Sequence, residues 1–260
     1  IVLEATYGCR PSDTPTDSEL ARFREILGET VSEGGTAWIP AFAVDRTQKV
    51  LHQVRIAQRE GLVPTGIPII VPSPTAGAAT AVYDQLRSDP YFRESWASDP
   101  SNLKPPGYTE EFDIEDPPTG PAILITTSGM MDSAFSNRLL PQLLASPEVA
   151  VLLVGYQDPF STGGRLEAGI SNHDEDEPMV LKGPDQTEIR VNASIHRFRG
   201  FSGHATADQI DDWLARQDPD VTQVYLVHGE AAALDDRRNC LTEAGWRFVH
   251  VPGAGSRLLL

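Results

Sequence analysis

The chain has 260 residues, which is enough to bury a sizeable core as one large domain or as two smaller ones. It is 40% apolar, and no apolar run approaches the roughly 18 residues that cross a membrane as a helix, so we expect no membrane partner. The net charge is −16 and only three lysines occur, a balance that by itself disfavours nucleic-acid binding and is typical of a halophilic protein.

Cysteine usage indicates the compartment. The two cysteines, Cys9 and Cys240, make neither a disulfide framework nor a cysteine-type zinc cluster. This usage suits a reducing environment, and together with the lack of a signal-peptide pattern it predicts a cytoplasmic protein.

The chain begins with IVLE, an apolar run that is typical of a buried strand and ends in a carboxylate. Further apolar runs predict strands at 36–42, 67–71, 122–127, 149–156, 187–198, 221–228 and 246–251. The spacing of apolar residues predicts helices at 45–60, 75–87, 134–145, 206–216 and 230–245. The polar, proline-rich stretch 98–121 predicts a loop, and the acidic stretch 172–178 predicts an exposed turn.

Strands that alternate with helices predict an α/β fold with a parallel sheet covered on both faces. The strand 187–198 alternates well enough to lie at a sheet edge. Asp45 stands where a helix N-cap belongs, and Gly61 stands where the same helix should end. In such a fold ligands bind beyond the carboxyl ends of the strands, so the residues after each strand are the candidates for chemistry.

Three ionisable residues follow or end apolar runs. Glu4 follows IVL, His204 follows RFRGFSG, and His228 ends VYLV. A glutamate in such a place is often only solvated, and a histidine is often a hydrogen-bonded structural residue. Gly203 and Gly229 shift this balance, because they leave room beside the histidines and allow the backbone to turn. A neutral imidazole held at the end of a strand suits metal ligation or proton transfer.

Other strand ends carry hydrogen-bonding and cationic side chains near predicted helix starts, where backbone N–H groups can hold an anion. These candidates for binding or positioning a phosphate-bearing chain are Arg46, Gln48, Ser73, Thr75, Ser128, Thr162 and Arg165. Each alone can be an ordinary cap or a residue that keeps loops in place. Together they put several anion-holding groups at one edge of the sheet, which predicts a phosphate-bearing chain molecule as the ligand.

Six segments occur in a fixed order along the chain: IVLEATYG, IPAFAVDRTQ, TTSGMM, GYQDPFSTGGR, FSGHAT and LVHGE. In order and spacing they resemble the β-CASP nucleases of the metallo-β-lactamase superfamily. The closest likeness is to the RNA-processing branch that contains the cleavage and polyadenylation endonuclease and its archaeal and bacterial relatives. The resemblance implies a β-CASP cap domain over 8–197, with a mostly parallel sheet flanked by helices. It assigns 1–7 and 198–260 to the remaining, C-terminal part of a metallo-β-lactamase-like domain.

The resemblance also implies roles for three residues. Glu4 matches the acid of the family's motif A, and His204 matches the motif B histidine, which acts with that acid in protonating the leaving oxygen. His228 matches motif C, a ligand to one of two zinc ions, and a histidine there is typical of the RNA-cutting branch. In the family a metal-bridging hydroxide cuts the phosphodiester.

The sequence departs from the family pattern in three places. The HxHxDH metal motif and the ligands that follow it are absent and would precede Ile1, so we expect IVLE to be an interior strand of a longer enzyme. Thr206 replaces an aspartate after motif B, and Pro72 replaces an aspartate before Ser-Pro. Because one imidazole does not hold zinc tightly, we expect this chain alone to bind zinc poorly and to be inactive.

These features predict a portion of a zinc-dependent ribonuclease for mRNA 3′-end processing or RNA decay, with RNA as its partner. The alternative is a non-catalytic RNA-binding or scaffold subunit of an RNA-cleavage complex, whose inactive relatives tend to lose the two histidines retained here. A plain nucleotide-binding domain is disfavoured, because no GxGxxG or P-loop follows a strand. A homodimer is in keeping with the family, and the apolar 258–260 predicts a final strand or an interface.

Overall fold

A computed structural model of the chain describes residues 1–10, 16–90, 96, 98–172, 179–183 and 186–257. The chain divides into two compact units, Ile1–Pro15 with Gly203–Leu260 (unit 1) and Thr16–Ser202 (unit 2). Unit 2 is therefore an insertion in the sequence of unit 1. The final strand predicted at 258–260 and most of the acidic turn predicted at 172–178 lie outside the described residues.

Strands and helices alternate along most of the described chain. The strands are β1 (Val2–Glu4), β2 (Thr36–Ala41), β3 (Ile69–Ile70), β4 (Tyr108–Thr109), β5 (Ala122–Thr127), β6 (Val149–Leu153), β7 (Val180–Lys182), β8 (Glu188–Arg190), β9 (Ser194–Arg197), β10 (Gln223–Val227) and β11 (Phe248–His250). The helices are α1 (Thr16–Ser32), α2 (Arg46–Arg59), α3 (Pro74–Gln85), α4 (Ala134–Leu143), α5 (Thr162–Asn172), α6 (Ala207–Leu214) and α7 (Ala231–Glu243).

The main sheet of unit 2 has six parallel strands in the order β4-β3-β5-β2-β6-β9. All residues of β2 and β6 are buried, as is expected for strands covered on both faces. Ile39 of β2 packs in one core with Phe23 of α1 and Val50 of α2, while its neighbour Trp38 packs in a second core with Leu139 of α4. The predicted parallel sheet flanked by helices is confirmed.

One predicted strand and one predicted helix cap of unit 2 differ from the structure. The predicted strand 187–198 is split into β8 and β9, because the N–H groups of Asn192 and Ala193 donate to the Leu144 carbonyl instead of joining a ladder. β9 lies at the sheet edge as predicted, whereas β8 pairs antiparallel with β7 in a separate hairpin. Asp45 stands at the N-cap of α2 but makes no capping hydrogen bond, since its carboxylate pairs with Lys49 at 2.9 Å.

Unit 1 contains a smaller parallel sheet with the order β1-β10-β11. Leu3 of β1 and Leu226 of β10 pack with Ile210 of α6 and Leu241 of α7. The register places Glu4 opposite Val227, so a strand from residues 2–4 pairs with one from residues 223–227. Among the described residues, the helices are all too short or too polar to span a lipid bilayer.

Candidate active site

Glu4, His204 and His228 come together in unit 1. Glu4 is the last residue of β1, and His228 directly follows β10, the neighbouring parallel strand. His204 lies in the segment before α6, where Thr206 caps the helix as part of a capping box with Gln209. Parallel pairing and a capped helix start therefore position three side chains that lie far apart in the sequence.

The carboxylate of Glu4 holds the segment around His204. Its Oε2 lies 2.8 Å from His204 Nδ1, and its Oε1 accepts a hydrogen bond of 3.0 Å from the backbone N–H of Ala205. The rings of His204 and His228 are stacked, with centroids 4.9 Å apart. Tyr7 packs edge-on against His204, with centroids 6.2 Å apart. The His204 side chain is 39% exposed and the Glu4 side chain 28% exposed, so a ligand in solvent can reach the cluster.

The surroundings of Glu4 favour its ionised form. Partial burial opposes the charge and by itself raises the pKa. The hydrogen bonds from the Thr6 hydroxyl and the Ala205 N–H, and the neighbouring His204 ring, outweigh burial and lower the pKa of Glu4 below its ordinary value. Glu4 is therefore a carboxylate at neutral pH and only accepts hydrogen bonds.

The donor set fits zinc in part. Ligand atoms of Glu4, His204 and His228 all lie within 4.8 Å of one another. Catalytic zinc is held by about three protein ligands of these types, with one position left open. However, both oxygens of Glu4 already accept hydrogen bonds, and each histidine uses Nδ1 inside the cluster, His204 with Glu4 and His228 with Thr6. The resemblance assigns the ligand role to His228, and the described residues do not by themselves form a two-ion site.

The structure also pairs the two cysteines. Cys9 and Cys240 form a disulfide with their Cα atoms 6.5 Å apart, and the Cys9 N–H donates to Asp236 Oδ2 at 2.8 Å. The bridge ties the segment after β1, which carries Thr6, to α7, which follows His228. The two cysteines predicted neither a disulfide framework nor a zinc cluster, as suits a reducing environment, whereas the structure joins them in one bridge. The pairing of β1 with β10 brings Cys9 near Cys240, although the two cysteines are 231 positions apart.

The seven residues predicted to bind or position a phosphate chain all lie in unit 2, in loops and helix starts after its strands. Three of them, Gln48, Ser73 and Thr162, are buried. Gln48 Nε2 donates to the Thr80 hydroxyl at 3.0 Å, and Ser73 Oγ accepts from the Thr127 hydroxyl at 2.9 Å. These contacts hold neighbouring loops and helices of unit 2 together.

The other four of these residues lie nearer the surface or bond to backbone. Arg46 Nη1 donates to the Val154 carbonyl at 3.0 Å and so ties α2 to the end of β6. Ser128 Oγ accepts from two backbone N–H groups in the turn that follows it. Thr75 and Arg165 are exposed, so a ligand could contact them without unpacking the sheet. Their binding roles stay predictions.

Two family models match the chain. A Beta-Casp domain matches residues 47–166, within unit 2, and a Zn-dependent metallo-hydrolase RNA specificity domain matches residues 188–252. The chain belongs to the β-CASP family of the metallo-β-lactamase superfamily, in its RNA-processing branch, as the six sequence segments predict.

Among curated relatives, the chain is 31% identical over 243 residues to Ribonuclease TTHA0252 of Thermus thermophilus, an alignment that covers 90% of the chain and 52% of that protein. It is 30% identical over 237 residues to Transcription termination factor FttA of Pyrococcus abyssi, covering 88% of the chain and 36% of that protein. The chain thus spans about half the length of the first relative and little more than a third of the second.

Sequence reasoning missed one residue at the centre of the cluster. The hydroxyl of Thr6 lies within 3.3 Å of side-chain atoms of Glu4, His204 and His228. A signal was available, because Thr6 follows Glu4 by two positions, the spacing that puts side chains on one face of an extended chain. The resemblance had drawn attention only to the acid and the two histidines.

Proposed function

We propose that this chain is a portion of a zinc-dependent ribonuclease that hydrolyses RNA phosphodiesters in mRNA 3′-end processing or RNA decay. The observation that carries the proposal is the 2.8 Å contact between Glu4 and His204 beside His228. A relative named as a ribonuclease and the match to an RNA specificity domain support RNA as the substrate.

Each residue of the cluster has a role in this proposal. Glu4 accepts the Nδ1 proton of His204 and orients the ring, and His204 gives a proton to the departing oxygen. His228 contributes one imidazole ligand to zinc, and further ligands come from a part of the enzyme beyond this chain. Bound zinc would supply Lewis acidity to the scissile phosphate.

The proposal extends to the two units. Unit 2 serves as the β-CASP cap that holds RNA, with Thr75 and Arg165 as its exposed candidates for phosphate contact. Unit 1 is the remaining part of the metallo-β-lactamase-like domain. The unit boundaries fall at 15/16 and 202/203, later in the chain than the boundaries of 7/8 and 197/198 predicted from sequence. The acidic, lysine-poor composition supports a medium of high salt, where charge repulsion is screened.

A nuclease assay on the longer parent protein, with its zinc content measured, tests these roles. His228→Ala should lower zinc content and activity together, whereas His204→Ala should keep zinc and lose about 100- to 10,000-fold in cleavage rate, as expected for a lost general acid. His250→Ala is the matched control, because His250 is an exposed histidine of unit 1 that stacks on Tyr225. Unchanged cleavage and zinc in His228→Ala would refute the ligand assignment.

The isolated 260-residue chain should show negligible hydrolysis of single-stranded RNA, because its described residues do not by themselves form a two-ion metal site. Metal-dependent cleavage by the purified chain would contradict this part of the proposal.

A non-catalytic RNA-binding or scaffold subunit is the second candidate. It is favoured by the incomplete metal-ligand set of the described residues. The sequence encoded upstream distinguishes the two. An intact HxHxDH motif there supports the enzyme, whereas a degraded motif together with zinc-free, inactive parent protein supports the scaffold.

A further inference from the structure

The hydroxyl of Thr6 contacts every member of the cluster. Its oxygen lies 2.5 Å from Glu4 Oε2, 2.9 Å from His228 Nδ1, and 3.3 Å from both His204 Nδ1 and the backbone carbonyl oxygen of His228. A hydroxyl has one proton and two lone pairs, so it donates one hydrogen bond and accepts the others. Which partner receives the proton decides the protonation pattern of the cluster.

The Thr6 proton goes to Glu4. An ionised carboxylate has no proton to give, so Thr6 must be the donor in their contact. This contact is also the shortest at the hydroxyl, as expected for an O–H group that donates to a charged oxygen. With its proton directed at Glu4, Thr6 Oγ1 can only accept from His228 Nδ1. The neutral His228 ring therefore carries its proton on Nδ1 and its lone pair on Nε2.

We propose that Thr6 is a positioning residue for His228. Its hydroxyl, which the carboxylate of Glu4 orients, holds the His228 ring as the Nδ1–H tautomer, so that Nε2 is the nitrogen that binds a metal cation. Glu4 orients His204 directly at 2.8 Å and His228 through the Thr6 hydroxyl. One carboxylate thus sets the tautomers of two stacked imidazoles. The tautomer concerns this chain alone, whereas its consequence for zinc rests on the proposed function.

Nitrogen NMR on the histidine rings tests the tautomer directly. The chain has six histidines, and selective ¹⁵N labelling with two-bond ¹H–¹⁵N correlation at mildly alkaline pH reports which ring nitrogen carries the proton. His228→Gln identifies the His228 signals by their loss. Wild type and Thr6→Ser, which keeps the hydroxyl, should show His228 protonated on Nδ1. Thr6→Val, which keeps the shape without the hydroxyl, should show exchange between both tautomers. Unchanged His250 signals and unfolding midpoint show that the variant remains folded.

Two results would overturn the proposal. The first is a wild-type His228 that is protonated on Nε2, which decides the matter even if Thr6→Val does not fold. The second is a folded Thr6→Val variant whose His228 signals match wild type.

Zinc affinity of the longer parent protein gives a second measurement. Loss of a group that orients a metal-ligating histidine typically costs about 10- to 100-fold in affinity, so Thr6→Val should show that loss and Thr6→Ser should not. Equal affinity in Thr6→Val and wild type counts against the proposal. RNA cleavage is not used as a readout. A parent protein with the expected tautomers that cuts no RNA refutes the proposed function and leaves the role of Thr6 intact.

Discussion

Replacing Cys9 and Cys240 together by serine removes the covalent link between the segment after β1 and α7. The bridge closes a loop across 231 positions, and the chain-entropy relation gives about 5 kcal/mol for a loop of that length. If Thr16–Ser202 stays folded while unit 1 unfolds, the flexible part of the loop shortens to about 45 residues, and the relation gives about 4 kcal/mol. Because the entropy varies with the logarithm of loop length, both routes predict a loss of about 4 to 5 kcal/mol.

Urea unfolding followed by circular dichroism measures this loss. The oxidised wild type should unfold at a higher urea concentration than the double-serine variant, and a thiol reductant should lower the wild-type midpoint towards that of the variant. The reductant should leave the variant unchanged, which makes the variant its own control. Titration under denaturing conditions should find no free thiol in oxidised wild type. Two titratable thiols, or equal midpoints for oxidised wild type and variant, would refute the reasoning.

Three further predictions concern unit 2. Trp38→Phe should lower the free energy of unfolding by about 1 to 3 kcal/mol, because Trp38 Nε1 donates to the buried Thr126 hydroxyl at 2.9 Å and the variant leaves that hydroxyl without this donor. Adding Thr126→Val removes the buried hydroxyl and should recover part of the loss in the same urea assay. Gly107→Ala should lower the free energy of unfolding more than its matched control Gly34→Ala. Both glycines have a positive φ, +92° at Gly107 and +87° at Gly34, but only at Gly107 would the new methyl group meet a backbone carbonyl, that of Ile67. Equal losses for the two variants would contradict this. Burial, together with the nearby Arg59, lowers the pKa of His52 from 6.5 to about 4. As the pH falls, the unfolded chain therefore binds a proton at His52 before the folded chain does, and the free energy of unfolding should decrease between pH 6.5 and about 4. His52→Phe should flatten this pH dependence in thermal unfolding.

The central strands of unit 2 were predictable because strands buried on both faces form nearly continuous apolar runs. The run AILITT predicted β5 at Ala122–Thr127, which is its observed span. Short peripheral strands give no such pattern. β4 has two residues and lies in a polar, proline-rich stretch that predicts a loop, and the hairpin of β7 with β8 depends on long-range pairing. Helix α1 was not predicted, although its 17 residues place Phe23, Leu27 and Val31 in the core.

The meeting of Glu4 and His228 was predictable in outline, since carboxyl ends of neighbouring parallel strands lie at one sheet edge. The contacts of Thr6 were not, because they depend on distances between side-chain atoms that sequence spacing leaves open. The Cys9–Cys240 bridge was missed for a related reason. A separation of 231 positions says nothing about distance in space until β1 is known to pair with β10.

The interrupted sequence of unit 1 has a consequence for biosynthesis. A ribosome makes Glu4 first, and all of Thr16–Ser202 must be translated before either histidine of the cluster exists. Domains generally fold as units while the chain is made, so the inserted unit can complete its core while β1 still awaits its partner β10. A nascent chain that stalls before residue 204 therefore has neither histidine of the cluster to place beside Glu4, and the cluster can assemble only after translation has passed His228.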